Sequence, residues 1–170
     1  MFVDPAVRTR GVALRAAHAG DAPFLRALFE TARPDTAFLT AWPEDVRRTF
    51  LDQQFEFQRI HYVRAYPDAE RLVIQQDDAP IGRLILARSL REWCVVDIAL
   101  LPPWRGRGIG TLLLQAIKAS APQAGARCVR LSVDVRSPAR RLYERLGFAA
   151  EQEEEGAANI NMVWRTPALS

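Results

Sequence analysis

Lysine is almost absent from this 170-residue chain: it occurs once, at Lys118. Cysteine, histidine and methionine occur twice each. Cys94 and Cys128 form no C-x-x-C pair, and no His/Cys cluster has the spacing of a metal site. A dithiol redox motif and a metal cofactor are therefore not expected. Each cysteine lies in an apolar run, Trp93-Cys94-Val95-Val96 and Cys128-Val129-Arg130-Leu131, which suits a buried free thiol. No apolar run approaches the roughly 18 residues that a membrane-spanning helix needs. Met1-Phe2-Val3-Asp4-Pro5 has no basic region followed by an apolar stretch. The expectation is a soluble, cytoplasmic protein with no membrane partner. Charge of one sign is also scarce: the net charge is +3 and the pI about 9.3. That excess suits an anionic ligand but is too small, and too evenly spread, to imply a nucleic-acid partner.

What is present is apolar material, 49% of the chain, beside 25% charged residues. That is enough for a core in one domain, residues 1–170. Residues 1–10 read as an irregular leader. Val12-Ala13-Leu14-Arg15 reads as a first strand. Asp21 offers an N-cap oxygen to a helix carrying Phe24, Leu25, Leu28 and Phe29 at helical spacing and stopping before Pro34. Residues 32–42 read as loop, and a second helix runs from about Pro43 toward Ile60. Arg71–Gln75 and Ile81–Ala87 form a hairpin around the turn Asp77-Asp78-Ala79-Pro80. A strand from about Trp93 to Leu101 ends at Pro102-Pro103. Ile109, Leu112, Leu113, Ala116 and Ile117 make one helical stripe, broken at Ala121-Pro122-Gln123-Ala124-Gly125. Cys128–Val133 is a strand. Ser137 caps a helix with Pro138 in its first position and Gly147 as its stop. Two short strands, at 148–150 and 159–164, close the chain around the acidic run Glu151–Glu155, read as a solvated hairpin. The order predicts an α/β fold with a mixed, mostly antiparallel central sheet flanked by helices.

The most informative segment is Arg105-Gly106-Arg107-Gly108-Ile109-Gly110 between a strand and an amphipathic helix. A helix N-terminus leaves N–H groups unpaired, the helix dipole adds partial positive charge, and glycines let an anion approach. The expected ligand is a phosphate or pyrophosphate. A P-loop needs a lysine after its second glycine, where Thr111 stands, and that reading fails. A dinucleotide fingerprint also loses its third glycine to Thr111 and fits poorly with the antiparallel hairpin before it. A glycine turn without any ligand stays open on the loop alone.

These residues resemble the GNAT superfamily of acyltransferases. Arg105, Gly108 and Gly110 fill its Q/R-x-x-G-x-G/A signature, Val96–Pro102 resembles its pantetheine-binding strand, and Ala139–Phe148 resembles its second motif, A-x-x-L-Y-x-x-x-G-F. The resemblance covers residues 81–148 well, as an acyl-CoA-binding core, and the rest in element order. It implies the acyl-CoA N-acyltransferase fold and acetyl-CoA as cosubstrate. It implies that the N–H groups of Gly106, Arg107, Gly108, Ile109, Gly110 and Thr111 hold the pyrophosphate, with Arg105 and Arg107 at the rim. Ile98, Ala99 and Leu100 would pair with the pantetheine amides. A backbone N–H near Leu100 would polarise the thioester carbonyl, where charge builds as an amine attacks. Tyr143 would be the general acid for the leaving thiolate; from the residues alone it reads rather as a core aromatic at i+4 from Ala139.

Two departures from the family pattern stand out. Arg136 and Ser137 occupy a region where many members have an asparagine, leaving Ser137 to donate one hydrogen bond to the cosubstrate. Leu131-Ser132-Val133-Asp134 lacks the glutamate that some members use as base, so Asp97, Asp134 and Glu92 are the candidates. The first two helices and their loop would wall the acceptor, with Gln54, Arg59, His61 and Tyr62 as lining residues. The function implied is transfer of an acetyl group from acetyl-CoA to an amine of a small molecule or protein, by direct attack, since no cysteine sits where a covalent acyl intermediate would form. The alternative is a catalytically idle CoA-binding or protein-interaction module on the same scaffold. Edge strands near the C-terminus make a homodimer an expected option.

Overall fold

The computed structural model describes residues 11–32, 34–151 and 156–167, without the side chains of 34–37. The expected leader, 1–10, and most of the acidic run, 152–155, lie outside the described residues. Seven strands and four α-helices follow in the order β1 (Val12–Ala16), α1 (Ala22–Thr31), α2 (Glu44–Ala65), β2 (Glu70–Gln76), β3 (Ala79–Arg88), β4 (Glu92–Leu100), α3 (Ile109–Gln123), β5 (Cys128–Asp134), α4 (Ala139–Arg145), β6 (Ala149–Ala150) and β7 (Asn159–Arg165). The strands form one sheet in the order β1-β2-β3-β4-β5-β7-β6. Every neighbouring pair is antiparallel except β4 and β5. The mixed, mostly antiparallel sheet flanked by helices is as expected.

Local chemistry explains most boundaries. Asp77 and Asp78 both have positive φ, 50° and 67°. Two left-handed residues match the twist of the hairpin they join, and aspartate tolerates that region better than most side chains. The turn therefore needs only these two residues, and Ala79 and Pro80 belong to β3. Pro80 stands opposite Gln75, where the β2–β3 register shifts; a residue without an N–H is tolerated at such an irregularity.

α3 runs two residues past its expected break, through Pro122 to Gln123. Its end is a Schellman motif: the Ala126 N–H donates to Ala121 O (2.9 Å) and the Gly125 N–H to Pro122 O (2.9 Å), with Gly125 at φ +82°. Pro122 thus sits in the final turn of the helix, one residue before its end. α2 extends to Ala65, beyond Ile60, because Arg71 of β2 supplies donors to the carbonyls of Tyr66 (3.0 Å) and Ala69 (2.9 Å) at its end. Much of the expected 32–42 loop is a 3-10 helix, Pro34–Ala41. Leu39 holds it down by packing with Phe29 of α1 and Leu51 of α2 in a small core of its own.

The main core lies between the sheet and the helices after the glycine turn. Leu72, Ile74, Leu84, Leu86, Val129, Leu131 and Met162 meet Leu113, Leu114 and Ile117 of α3 and Tyr143 of α4.

Asp21 stands at the N-cap position of α1, yet its side chain makes no bond to that helix. Its carboxylate takes both Arg15 Nη1 (2.7 Å) and Nη2 (2.6 Å), and the His18 N–H (2.9 Å). Asp21 also closes the one-turn 3-10 helix Ala19–Asp21, so it reaches back to cap that turn rather than forward. The Arg15 guanidinium holds the buried Asp21 carboxyl far below the usual carboxylate range. Asp21→Asn should lower unfolding stability by about 2 kcal/mol, as loss of charge-assisted hydrogen bonds does. A depressed folded-state pKa stabilises above the unfolded-state value and loses that effect as pH falls through the folded-state value. Urea unfolding of both proteins should therefore show a gap that is full at neutral pH and closes in strong acid.

Candidate active site

β4 and β5 pair only from Glu92 opposite Cys128 to Val95 opposite Leu131. Beyond that point β4 stays with β3 and β5 stays with β7. The cause is a bulge: Ile85 pairs with Asp97 but Leu86 with Val95, so Val96 is an extra residue on β4. A bulge bends its strand and increases local twist, and β4 leaves its parallel neighbour.

The freed segment has an open edge. The Leu101 N–H donates to Ile81 O (2.9 Å). Alternation along an antiparallel ladder then turns the N–H and C=O of Ala99 toward β3 and those of Ile98 and Leu100 toward the gap. A Cβ added at Gly82 of β3 would lie 2.4 Å from Ala99 O, which places that carbonyl on the β3 side. Of the three expected pairing residues, Ile98 and Leu100 thus present their backbone groups to the gap.

β4 leads through Pro102–Trp104 into the glycine turn. Gly106 and Gly108 have φ +71° and +79°, a region side chains disfavour. No side chain caps the N-terminus of α3, and the first helical bond runs from the Leu112 N–H to Gly108 O (2.9 Å). The N–H groups of Ile109, Gly110 and Thr111 precede that bond and have no partner within the helix. At Gly110 a Cβ would stand 3.7 Å from Leu142 of α4, an ordinary packing distance, so α4 packs beside the turn with room for a methyl. Arg105 does not stand free at the rim. Its Nε donates to Leu100 O (2.8 Å) and its Nη2 to Thr31 O at the end of α1 (2.8 Å). The Arg107 guanidinium lies over the Trp104 ring at 5.0 Å. A cavity of about 420 Å³ opens beside the turn, lined by Trp104, Arg107, Gly108, Ile109, Leu112 and the β2–β3 turn. A larger one, about 830 Å³, lies around Arg88, Leu90 and Trp93, at the opposite end of β4 from the glycines.

α4 fixes Tyr143. The Ala139 N–H donates to Ser137 Oγ (3.2 Å), so Ser137 caps the helix as expected, although the α-helical bonds begin at Ala139 rather than Pro138. At the other end Phe148 N–H donates to Tyr143 O (3.0 Å) and Gly147 N–H to Glu144 O (2.9 Å), a second Schellman motif. Its hydrophobic contact is the Tyr143–Phe148 ring pair, 6.1 Å between centroids. Lys118 Nζ of α3 donates to Leu146 O (2.5 Å) and lies 4.7 Å from the Trp164 ring. Tyr143 is thereby pinned from both sides. Its hydroxyl is pushed up to about 12, first by burial and then by the charge of Asp97.

Asp97 sits on the freed part of β4. Its Oδ2 accepts from Arg83 Nε (2.7 Å), and Arg83 Nη2 lies 2.7 Å from the same oxygen as an ion pair. Arg83 Nη2 also donates to Gln58 Oε1 (3.0 Å), and its guanidinium lies 6.0 Å from the Tyr62 ring. The Tyr62 hydroxyl is likewise pushed up to about 12, by burial first and Asp97 next. Helical spacing puts Gln58 and Tyr62 on one face of α2. Of the expected acceptor-side residues, Tyr62 joins this group and Gln54 is half-buried. Arg59 pairs with Glu56 on the exposed face and His61 is exposed. Arg83 and Gln58 were not among the sequence candidates; the only sequence signal for Gln58 is its i, i+4 spacing from Tyr62. The other two candidate bases are engaged elsewhere. Glu92 pairs with Arg130 (2.7 Å) in the closed half of the β4–β5 pair, and Arg130 also holds Glu151 (2.5 Å). Asp134 takes the Arg136 N–H (2.8 Å) ahead of α4.

Both cysteines are free, Cys128 buried and Cys94 half-buried, with both thiols pushed up by burial. Among the described residues, no three His, Cys, Asp or Glu side chains are grouped to hold a metal ion. Nor is any helix long and apolar enough to cross a membrane.

Comparison with known proteins shows the family and the fold. The model of the Acetyltransferase (GNAT) family matches residues 25–148. A [ribosomal protein bS18]-alanine N-acetyltransferase of Haemophilus influenzae is 34% identical over 77 residues, 45% of this chain. That match spans about half, 53%, of the relative's length. Among solved structures, PaiA N-acetyltransferase of Thermoplasma acidophilum in complex with coenzyme A superposes with TM-score 0.64 at 18% identity, covering 91% of this chain and 98% of that one. The ribosomal-protein-S18-alanine N-acetyltransferase of Escherichia coli does so with TM-score 0.62 at 19% identity, covering 94% and 96%. At these identities the likeness in structure speaks for the fold.

Gly82 offers a test of the open edge. Gly82→Ala puts a methyl against a backbone carbonyl that cannot rotate away. The substitution should cost about 1–3 kcal/mol, as overpacking does, and weaken coenzyme A binding by displacing β4. Calorimetric titration with coenzyme A beside thermal unfolding measures both.

Proposed function

This chain belongs to the acetyltransferase (GNAT) family, and we propose that it moves an acetyl group from acetyl-CoA to an amine by direct attack in a ternary complex. One observation carries the reading. The glycine turn follows directly on the open-edge stretch of β4 that carries Ile98 and Leu100, and the charge of Asp97 on that same stretch reaches the buried Tyr143 hydroxyl.

The N–H groups of Gly106 to Thr111 hold the pyrophosphate at the N-terminus of α3. The pantetheine arm enters the gap as an added strand and exchanges amide hydrogen bonds with Ile98. Arg105 braces Leu100 O from outside. Ser137 keeps its oxygen on the helix and has its proton left to donate to the cosubstrate. The Leu100 N–H faces the thioester carbonyl and stabilises the oxyanion. The amine lone pair attacks the carbonyl carbon, the C–N bond forms, and the C–S bond then breaks. The sulfur leaves as thiolate and takes the Tyr143 proton, which solvent restores. The amine's own proton leaves through water or a nearby carboxylate.

Direct attack is supported by the cysteines. Both stand in the closed half of the β4–β5 pair, with thiols that burial keeps protonated at neutral pH. An alanine of a ribosomal protein is the acceptor named for the relatives; here the acceptor is an amine that the cleft around Asp97 selects.

Tyr143 holds its proton across the neutral range, because its hydroxyl is pushed up to about 12. Tyr143→Phe should lower kcat roughly 100-fold or more, the scale of a lost general acid, while acetyl-CoA affinity stays within about two-fold by calorimetry. The wild-type rate should show no alkaline loss from this group until the pH nears that of the shifted hydroxyl. Unchanged turnover in Tyr143→Phe would remove Tyr143 from the mechanism.

A further inference from the structure

The acceptor side of the gap holds one arginine, Arg83, and Asp97 claims it. Arg83 Nε donates to Asp97 Oδ2, its Nη2 lies against the same oxygen, and Nη2 donates to Gln58. Both contacts from Arg83 end on Oδ2, and among the described residues no group bonds Asp97 Oδ1. The Asp97 side chain is 20% exposed, so solvent and a ligand reach it, and the Arg83 side chain is 12% exposed. Asp97 also lies close enough to Tyr62 and Tyr143 for its charge to act on both hydroxyls.

An unshared carboxylate oxygen in a half-buried cleft attracts a cation. The same field repels an anion, and no guanidinium in the cleft is spare to offset that repulsion. We propose that Asp97 Oδ1 receives the acceptor's ammonium, and that the acceptor is a primary amine with no carboxylate beside it. Arg83 and Gln58 are positioning residues that hold Asp97 by its other oxygen. Free α-amino acids are excluded by charge rather than by size. This inference rests on the acetyl-transfer reading above and deepens it by naming the class of amine.

The test compares leucine with isopentylamine, its decarboxylated counterpart, as acceptors for the intact chain with acetyl-CoA. The side chain and the amine are the same. The decarboxylated member is the more basic amine, so a preference for it does not come from a larger share of free base. The expected kcat/KM ratio is roughly 10-fold or more in favour of isopentylamine. Asp97→Asn removes the carboxylate and releases Arg83, so the ratio should fall and turn toward leucine, with acetyl-CoA affinity unchanged. General damage to the site would lower both rates together and would not reverse the ratio. Should Asp97→Asn fail to fold, the wild-type ratio decides alone. Equal use of the two acceptors, or a preference for leucine, by the wild type overturns the proposal. Transfer to neither, with acetyl-CoA bound, overturns the acetyl-transfer reading and this inference with it.

Discussion

The short parallel pairing of β4 with β5 is the constraint on which the rest of the molecule depends. Hydrogen bonding between these strands ends at Val95 and Leu131. The extra residue Val96 then turns β4 aside while β3 stays paired with it. A sheet with β4 and β5 zipped to their ends would have no open backbone edge and no gap. The gap lies in mid-sheet, between strands that are each paired on their other side. Backbone groups left open there sit among apolar side chains, where a hydrogen-bond partner counts for more than at an outer edge.

The two sides of the gap are built in different ways. The donor side relies on backbone: glycines at positive φ, uncapped helical N–H groups, and the outward groups of Ile98 and Leu100. In the proposed reaction such groups would meet the repeating amide and phosphate chemistry of a carrier without reading what it carries. The proposed acceptor side relies on side chains from α2, β3 and β4, namely Gln58, Tyr62, Arg83 and Asp97. Arg105 joins the two sides through its bonds to Leu100 and to the last residue of α1. Several of the arginines behind the basic pI are thus spent on carbonyls, carboxylates and rings within the fold. This is why the overall charge says little about the ligand.

Much of the donor side was legible in the sequence because its determinants are local. Caps, helix stops and glycine turns are decided by residues a few positions apart. Ser137 bonds Ala139, Gly147 and Phe148 bond back to Glu144 and Tyr143, and Gly108 begins α3. Local rules misjudged some boundaries where a distant partner intervened. Arg71 lengthens α2, and Leu39 turns an expected loop into a helix by finding Phe29 and Leu51. Asp21 reads as a cap for α1 until Arg15 takes its carboxylate.

By itself the sequence determined the order of the elements, the sheet-and-helix class, the glycine turn ahead of α3 and the placement of Tyr143 on the helix after β5. Each follows from periodicity or from chemistry within about one helical turn. Only the tertiary structure decided which of three acidic candidates faces the gap, and with which partners. Asp97 meets Arg83 across 14 residues of chain and Gln58 joins from another 25 away. That meeting depends on strand register, and one bulged residue resets the register. A shift of one position would turn Asp97 to the other face of the sheet, and no pattern of neighbouring residues records it.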